Sequence, residues 1–576
     1  MAATPSATAR DLPRASEHRA GCGPEAGVPA SPRSTRGRWR AAVLVAVHAV
    51  IAVRVAHWLA TERTLSALEP SEAGHSLAQG VINAGLVFMV LLTLSTLVVG
   101  RFFCGWACHL VALQDGAAWL LGRLGLRPRP LRSRLLAWLP AVAALEMFVV
   151  PSVLRMVGDG PRPAWQWHLF TDDLWARFPD WPVALATFVV CGFVAVWLLG
   201  AKGFCTYACP YGAIFGLADR VAPGRIRVDA DACEGCGHCT AVCTSNVVVH
   251  REVALFGQVT DPGCMKCMDC VSACPKDALS FGFGSLPPKR PADGRAKPAR
   301  TFDFSWPEEF LLGSVSLASV WAFRGLYDQV PFLLSLALGG FAGLAAVLGL
   351  RLARRVELRF QRSVLVSNGR WTPRGGVAFV ASCGFLLLAV HSALVRFSAI
   401  EGERLLRTAP GAEPQRTAAI ESALVHLERA RHLGLLVPKR LHNQLGQAYF
   451  GLGREQEAEA DLRAAVEADP TMTVAREVLL ELLVRQERLA QAAAVLWDQF
   501  EAAPPDAAQA AARAPLVVRL VQELPDAVEP RLCIARIQLA LGDRDTAITN
   551  LERALERFPG EPRLVRLLDE ARASEL

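Results

Sequence analysis

The sequence predicts a mostly α-helical protein in three parts: a polytopic membrane domain of about seven spans, an inserted α+β domain built around cysteines, and a C-terminal α-solenoid. Three observations carry that prediction. Apolar residues bunch into runs of about twenty, the length a helix needs to cross ~30 Å of hydrocarbon. Two matched runs of four cysteines, CEGCGHCTAVC and CMKCMDCVSAC, lie between the fourth and fifth apolar segments. The last third of the chain repeats a pattern of small and apolar residues.

Bulk composition points the same way. Of 576 residues, 52% are hydrophobic and only 20% charged, and the mean hydropathy is +0.28. The net charge of +7 comes mostly from arginines that cluster at the ends of apolar runs. That placement fits membrane orientation and gives no basis for a nucleic-acid partner. Residues 1–38, rich in Pro, Ala, Ser and Arg, have no apolar core of their own and are expected to be a disordered tail. The first apolar run is too long for a cleaved signal peptide and reads as a retained span.

The seven expected spans lie near residues 39–60, 80–100, 133–153, 182–201, 308–327, 330–351 and 375–397. Arginines precede the first span and follow the second and sixth, which fall on one side if the spans alternate. That side is therefore expected to be cytoplasmic. The resulting domains are a four-span membrane segment 39–204, a cytoplasmic cysteine-rich domain 205–305, a three-span segment 306–398, and an extracytoplasmic domain 399–576. His48, Arg54, His57, Glu146 and His391 sit in or near apolar runs, where ionisable groups are expensive. They are read as snorkelling or helix–helix contacts ahead of quinol contacts. The aromatic loop 164–175 is expected to anchor at the bilayer interface.

In residues 439–472, Leu445, Gly446, Tyr449, Ala458, Leu462, Ala465 and Pro470 match the 34-residue tetratricopeptide pattern. Degenerate copies follow through Ala492, Leu496 and Pro504 and through Gly542, Ala547, Leu551, Ala554 and Pro559, and a half-copy, Ala423, Leu427 and Ala430, precedes them. Stacked repeats present concave surfaces, so a protein client is the expected partner of residues 399–576.

The two cysteine runs share the spacing C-x2-C-x2-C-x3-C, the mark of a two-cluster bacterial ferredoxin in which each fourth cysteine ligates the other cluster. One [4Fe–4S] cluster is then assigned to Cys233, Cys236, Cys239 and Cys274, and the second to Cys264, Cys267, Cys270 and Cys243. Structural zinc would require only two C-x2-C pairs. Disulfides are disfavoured in the cytoplasm. Thr244 stands after Cys243 where proline is usual.

Four further cysteines form two C-x3-C pairs, in GRFFCGWACHLVALQD (100–115) and GFCTYACPYGAIFG (203–216). Together with the ferredoxin segment, these resemble the NapH/NosR/CcoG-type membrane polyferredoxins over roughly residues 80–285. The resemblance implies redox work at a membrane face, in electron delivery or in metalloenzyme maturation. By position, Cys104 and Cys108 match the first family pair and Cys205 and Cys209 the second, with Pro210. His109 replaces the first proline and is not claimed as a ligand. Cysteines four apart share a helix face, so the pairs are expected to offer thiolates to a further metal or to form a dithiol. No flavin-binding domain or β-sandwich tail like those of some family members is evident.

The expected function is that of an electron carrier or accessory redox protein rather than a stand-alone enzyme. It would relay electrons through two [4Fe–4S] clusters at the cytoplasmic membrane face, between redox donor and acceptor proteins or quinol. The alternative is a maturation factor that binds or reduces a metal such as copper at the C-x3-C pairs and docks a client through its repeats. Cys22, Cys191, Cys383 and Cys533 have no partner pattern.

Overall fold

A computed structural model describes residues 35–126, 128–157, 165–172, 174, 180–284, 302–361 and 363–573. The expected tail at 1–38 falls almost wholly outside them. The chain divides into two compact units, Met1–Arg324 with Gln329–Ala389, and Gly325–Asp328 with Val390–Leu576.

Among the described residues, five helices are long and apolar enough to cross a membrane: Gly37–Thr61, Leu136–Leu154, Trp181–Leu199 and Phe332–Ala353 in the first unit, and Pro373–Arg407, which runs from the first unit into the second. The other two expected spans are helical but differ. Ala84–Val99 has 16 residues, ~24 Å at 1.5 Å per residue. It is short because Asn83 caps it, accepting the Leu86 N–H at 2.8 Å, while Val81–Asn83 leave the helical run to pair as a strand. Trp306–Phe323 carries Glu308 and Glu309 in its first turn and is not among the five. Glu308 accepts from both the N–H and the hydroxyl of Ser305, at 2.9 Å each. Glu309 is fully buried and caps the third span instead, accepting from Ser133 Oγ at 2.6 Å, Arg134 N at 2.9 Å and Leu135 N at 3.1 Å.

Small residues set the helix packing. A Cβ on Gly343 would stand 2.4 Å from the Leu312 carbonyl oxygen, and one on Gly339 2.3 Å from Val320 Cγ2, so Phe332–Ala353 seats against Trp306–Phe323 only because both are glycine. The polar residues within spans have local partners. His48 meets the Leu44 carbonyl, Arg54 bonds the Leu65 and Ser66 carbonyls, and Glu146 pairs with Arg324. Two short segments of the aromatic loop pair as strands. Gln166–His168 pairs in parallel with Val81–Asn83, and Phe170–Thr171 antiparallel with Thr64–Leu65.

The cysteine-rich insertion is a small α+β domain. Gly224–Val228 pairs antiparallel with Leu279–Phe283 across its two halves. A core of Ile226, Val247, Val253, Val259, Val271 and Leu279 lies beneath.

In the second unit, nine further described helices run from Gln415–Leu433 to Pro562–Ala573. The repeat positions are its core: Leu427, Leu445, Ala458, Leu462, Ala465, Ala492, Leu496 and Leu551 are completely buried. Gly446 is required by close approach, since a Cβ there would stand 2.6 Å from Leu462 Cγ. The expected boundary at 398/399 is not a structural break, because the helix Pro373–Arg407 continues through it.

Candidate metal centres

The two halves of the inserted domain are built alike, residue for residue. Gly235 and Lys266 stand at the same offset in their motifs and share left-handed backbone, with φ of 67° and 51°. Gly237 and Met268 do the same at 76° and 62°. These positive φ values turn each chain tightly enough to aim three thiols inward, and where the residue is not glycine the conformation must be held from outside. Lys266 is held by a fully buried ion pair, Nζ to Asp219 Oδ1 at 2.9 Å. The third match is Asn246 with Asp277, at 62° and 50°, three residues past Cys243 and Cys274. The turn is therefore the same whether Thr244 or Pro275 precedes it.

A cavity is lined by Cys233, Cys236, Cys239 and Cys274, with Val253 and Leu279 among its apolar walls. These are the four residues assigned to one cluster from spacing, including the cysteine from the opposite motif. In the other quartet, Cys243 faces Cys264, and Cys270 faces Cys264, Cys267 and Cys243. Cys270 also faces Cys239, which brings the two quartets close together. Backbone N–H groups point at the sulfurs: Gly235 at Cys233, Thr240 at Cys239, Asp269 at Cys267, and Ala278 at Cys274 at 3.3 Å. Burial pushes the Cys239 thiol up to about 12 and Cys243 up to about 11, with neighbouring thiolates adding to the rise. Such thiols hold their protons until a cation displaces them, and the inward N–H donors then favour the anionic sulfur. The thiol donors and the inward N–H groups, with the cavity at the first quartet, suit iron–sulfur ligation.

The two C-x3-C pairs converge. Cys209 faces Cys205, Cys108 and Cys104, and Cys108 faces Cys205 and Cys104. All four belong to one buried cluster with Met265. They do not share a continuous helix face, as the four-residue spacing suggested. Each pair spans a break: Phe102–Trp106 and Gly203–Tyr207 end, and Cys108 and Cys209 cap the next helices, His109–Arg123 and Pro210–Asp219. The two caps are nearly identical, with φ of −76° for both and ψ of 123° and 110°, so His109 in place of proline does not alter the turn. Cys108 receives the Leu110 and Val111 N–H groups of the helix it starts, and Cys209 that of Gly212. A helix N-terminus of this kind favours thiolate. Burial nonetheless pushes Cys108 up to about 12 and raises Cys205 and Cys209.

Sequence reading missed the polar groups around this third quartet. Arg101 and Lys202 each stand three residues before the first cysteine of a pair, a matched offset that was a readable signal. Gln114 donates to Cys205 Sγ at 2.8 Å and accepts the Phe204 N–H at 3.2 Å.

The third quartet is packed directly against a cluster-binding loop. A Cβ on Gly105 would stand 2.3 Å from the Met265 carbonyl oxygen and 3.2 Å from Cys267 Cα. Trp106 Nε1 donates to the Lys266 carbonyl at 3.0 Å. Arg40 clamps the junction from the first span, donating to Gly105 O at 2.7 Å and pairing with Asp269 at 2.9 Å and with Asp115.

Comparison with known proteins agrees with this geometry. A 4Fe–4S binding domain model matches residues 83–127, and two 4Fe–4S dicluster domain models match residues 202–247 and 225–275. A tetratricopeptide repeat model matches residues 439–472. The chain is a polyferredoxin with a tetratricopeptide-repeat tail. This polyferredoxin is 29% identical over 191 residues to the methylamine utilization ferredoxin-type protein MauN of Methylorubrum extorquens, covering 31% of this chain and 61% of that one. It is 26% identical to the putative electron transport protein YccM of Escherichia coli, covering 35% and 56%. To the ferredoxin-type protein NapH of Escherichia coli it is 27% identical, covering 38% and 73%. The polyferredoxin thus spans little more than half the length of the first two relatives. Iron–sulfur electron transfer is the chemistry these matches support, on a membrane-associated chain with repeats suited to protein partners.

Proposed function

We propose that this polyferredoxin is a membrane-bound electron relay whose two [4Fe–4S] sites stand at the cytoplasmic face and lead into the four-cysteine site at the membrane boundary. When bound, the clusters supply one-electron carriers; the protein supplies ligation, burial and hydrogen bonds that set their potentials. The observation that carries the reading is the contact of Gly105 with Met265 and Cys267, which leaves no gap between a ligand loop and the third quartet. Cys233, Cys236, Cys239 and Cys274 would hold the cluster farther from that contact, and Cys264, Cys267, Cys270 and Cys243 the nearer one.

The cytoplasmic assignment rests on the arginine distribution. A reporter enzyme fused after Gly453 is expected to be active outside the cytoplasm, and cytoplasmic activity there overturns it. The relay itself is tested by electron paramagnetic resonance of the reduced protein, which should show two interacting cubanes. The repeats dock the protein to be served, on a solenoid whose predicted leucine and alanine positions are buried. Deleting residues 408–576 should abolish delivery to that client while leaving the resonance signals unchanged.

A further inference from the structure

We infer that Cys104, Cys108, Cys205 and Cys209 hold a negatively charged thiolate-bound metal centre of the iron–sulfur class, and that Arg101 is the buried cation that balances it and raises its reduction potential. The inference rests on the electron-relay reading and extends it to a third centre.

The charges around the site lead to it. Arg40 and Lys202 both pair with Asp115, Arg40 pairs also with Asp269, and Lys266 pairs with Asp219. Three cations meet three carboxylates, and the buried Arg225, which also faces Asp219, is held by the carbonyls of Asp219, Arg220, Ala222 and Val259. Arg101 is left over. It is only 6% exposed, and among the described residues its side chain has no carboxylate partner. Nη1 donates to the Pro262 carbonyl at 3.0 Å, and Nε has no hydrogen-bond partner. The guanidinium faces Cys104, Cys205 and Cys209, and Nη2 lies 3.3 Å from where a Cβ on Gly212 would stand.

A buried guanidinium without an anion is strongly unfavourable, because it has given up its water for nothing of opposite sign. Four protonated thiols, or two disulfides, would leave Arg101 in that state. Thiolates on a metal centre supply the missing negative charge. The iron–sulfur class is favoured because the 4Fe–4S binding domain match spans the first pair and a ligand loop for a cubane abuts the site. One-electron reduction adds a negative charge beside Arg101, so the cation stabilises the reduced form. Lys202, at the equivalent offset, also faces Cys205, but its charge is shared with Asp115, whereas that of Arg101 meets no carboxylate.

The test uses the full chain, purified anaerobically in detergent and reduced with dithionite. Wild type should hold iron and acid-labile sulfide beyond two cubanes. Cys104→Ser with Cys205→Ser should remove the excess and keep the dicluster resonance. Arg101→Met should keep the excess iron and shift one midpoint potential negative, and Arg101→Lys should restore it. Equal iron in wild type and the double serine variant overturns the inference while leaving the dicluster reading intact. So do zinc or copper in place of the excess iron, disulfides mapped between the four cysteines, or an unshifted midpoint in Arg101→Met. If Arg101→Met does not fold, an unchanged midpoint in Arg101→Gln overturns the role given to Arg101.

Discussion

Gly105 and Met265 touch through their backbones: a Cβ on the glycine would stand 2.3 Å from the Met265 carbonyl oxygen. One of these residues lies between the cysteines of a C-x3-C pair and the other between two cluster ligands. Gly105→Ala should force the two loops apart and cost about 1–3 kcal/mol, as overpacking does. Thermal melting checks the loss, and reoxidation of the reduced protein should slow with it. An unchanged melting temperature would mean that the loops do not pack as described.

The Asp219–Lys266 pair holds the strained cluster loop. Both side chains are fully buried. Lys266→Met leaves the carboxylate without its cation and should cost about 3–5 kcal/mol, with loss of cluster iron. Asp219→Asn combined with Lys266→Met should recover much of that stability, which a double-mutant cycle by thermal melting measures.

Crosswise ligation makes a prediction that reading each motif alone does not. Cys243→Ser should alter the resonance of the cluster held by Cys264, Cys267 and Cys270. Cys274→Ser should alter that of the cluster held by Cys233, Cys236 and Cys239. Changes confined to each cysteine's own motif would contradict the sharing.

In the repeats, burial alone would raise the Asp469 carboxyl, but hydrogen bonds from Lys439 and from the hydroxyl and N–H of Thr471 outweigh it and hold it at about 2. A depressed carboxyl contributes stability above its ordinary value of ~3.9 and loses it as pH falls toward the folded value. Asp469→Asn should therefore speed hydrogen exchange in Lys439–Gly451 and Glu455–Ala468 at pH 6. The difference from wild type should shrink between pH 4 and 2. Asp469 is partly solvated, so the effect should be modest.

Much of this architecture was legible in the chain. The crosswise quartets were read from spacing because a cubane dictates how far apart its ligands lie, and Cys233, Cys236, Cys239 and Cys274 line one cavity in the fold. The repeats were legible because small residues recur wherever helices touch, as Gly446 against Leu462 shows. Other features depended on contacts far apart in sequence. The capping role of Glu309 has no local signal, because its partners, Ser133 to Leu135, lie some 175 residues earlier. The shortening of the second span depended on strand pairing with Gln166–His168. The convergence of the C-x3-C pairs was anticipated, but by a shared helix face; a break in each helix produces it instead. Arg101 was counted among topology-setting arginines, and only its burial beside the thiols distinguishes it.

The most direct test of the account is iron and acid-labile sulfide analysis of anaerobically purified protein, with electron paramagnetic resonance after dithionite reduction. At least two cubanes' worth of both elements per chain is expected, with a spectrum of two magnetically coupled clusters. Tightly bound zinc with neither iron nor sulfide, or a single uncoupled signal, would contradict it.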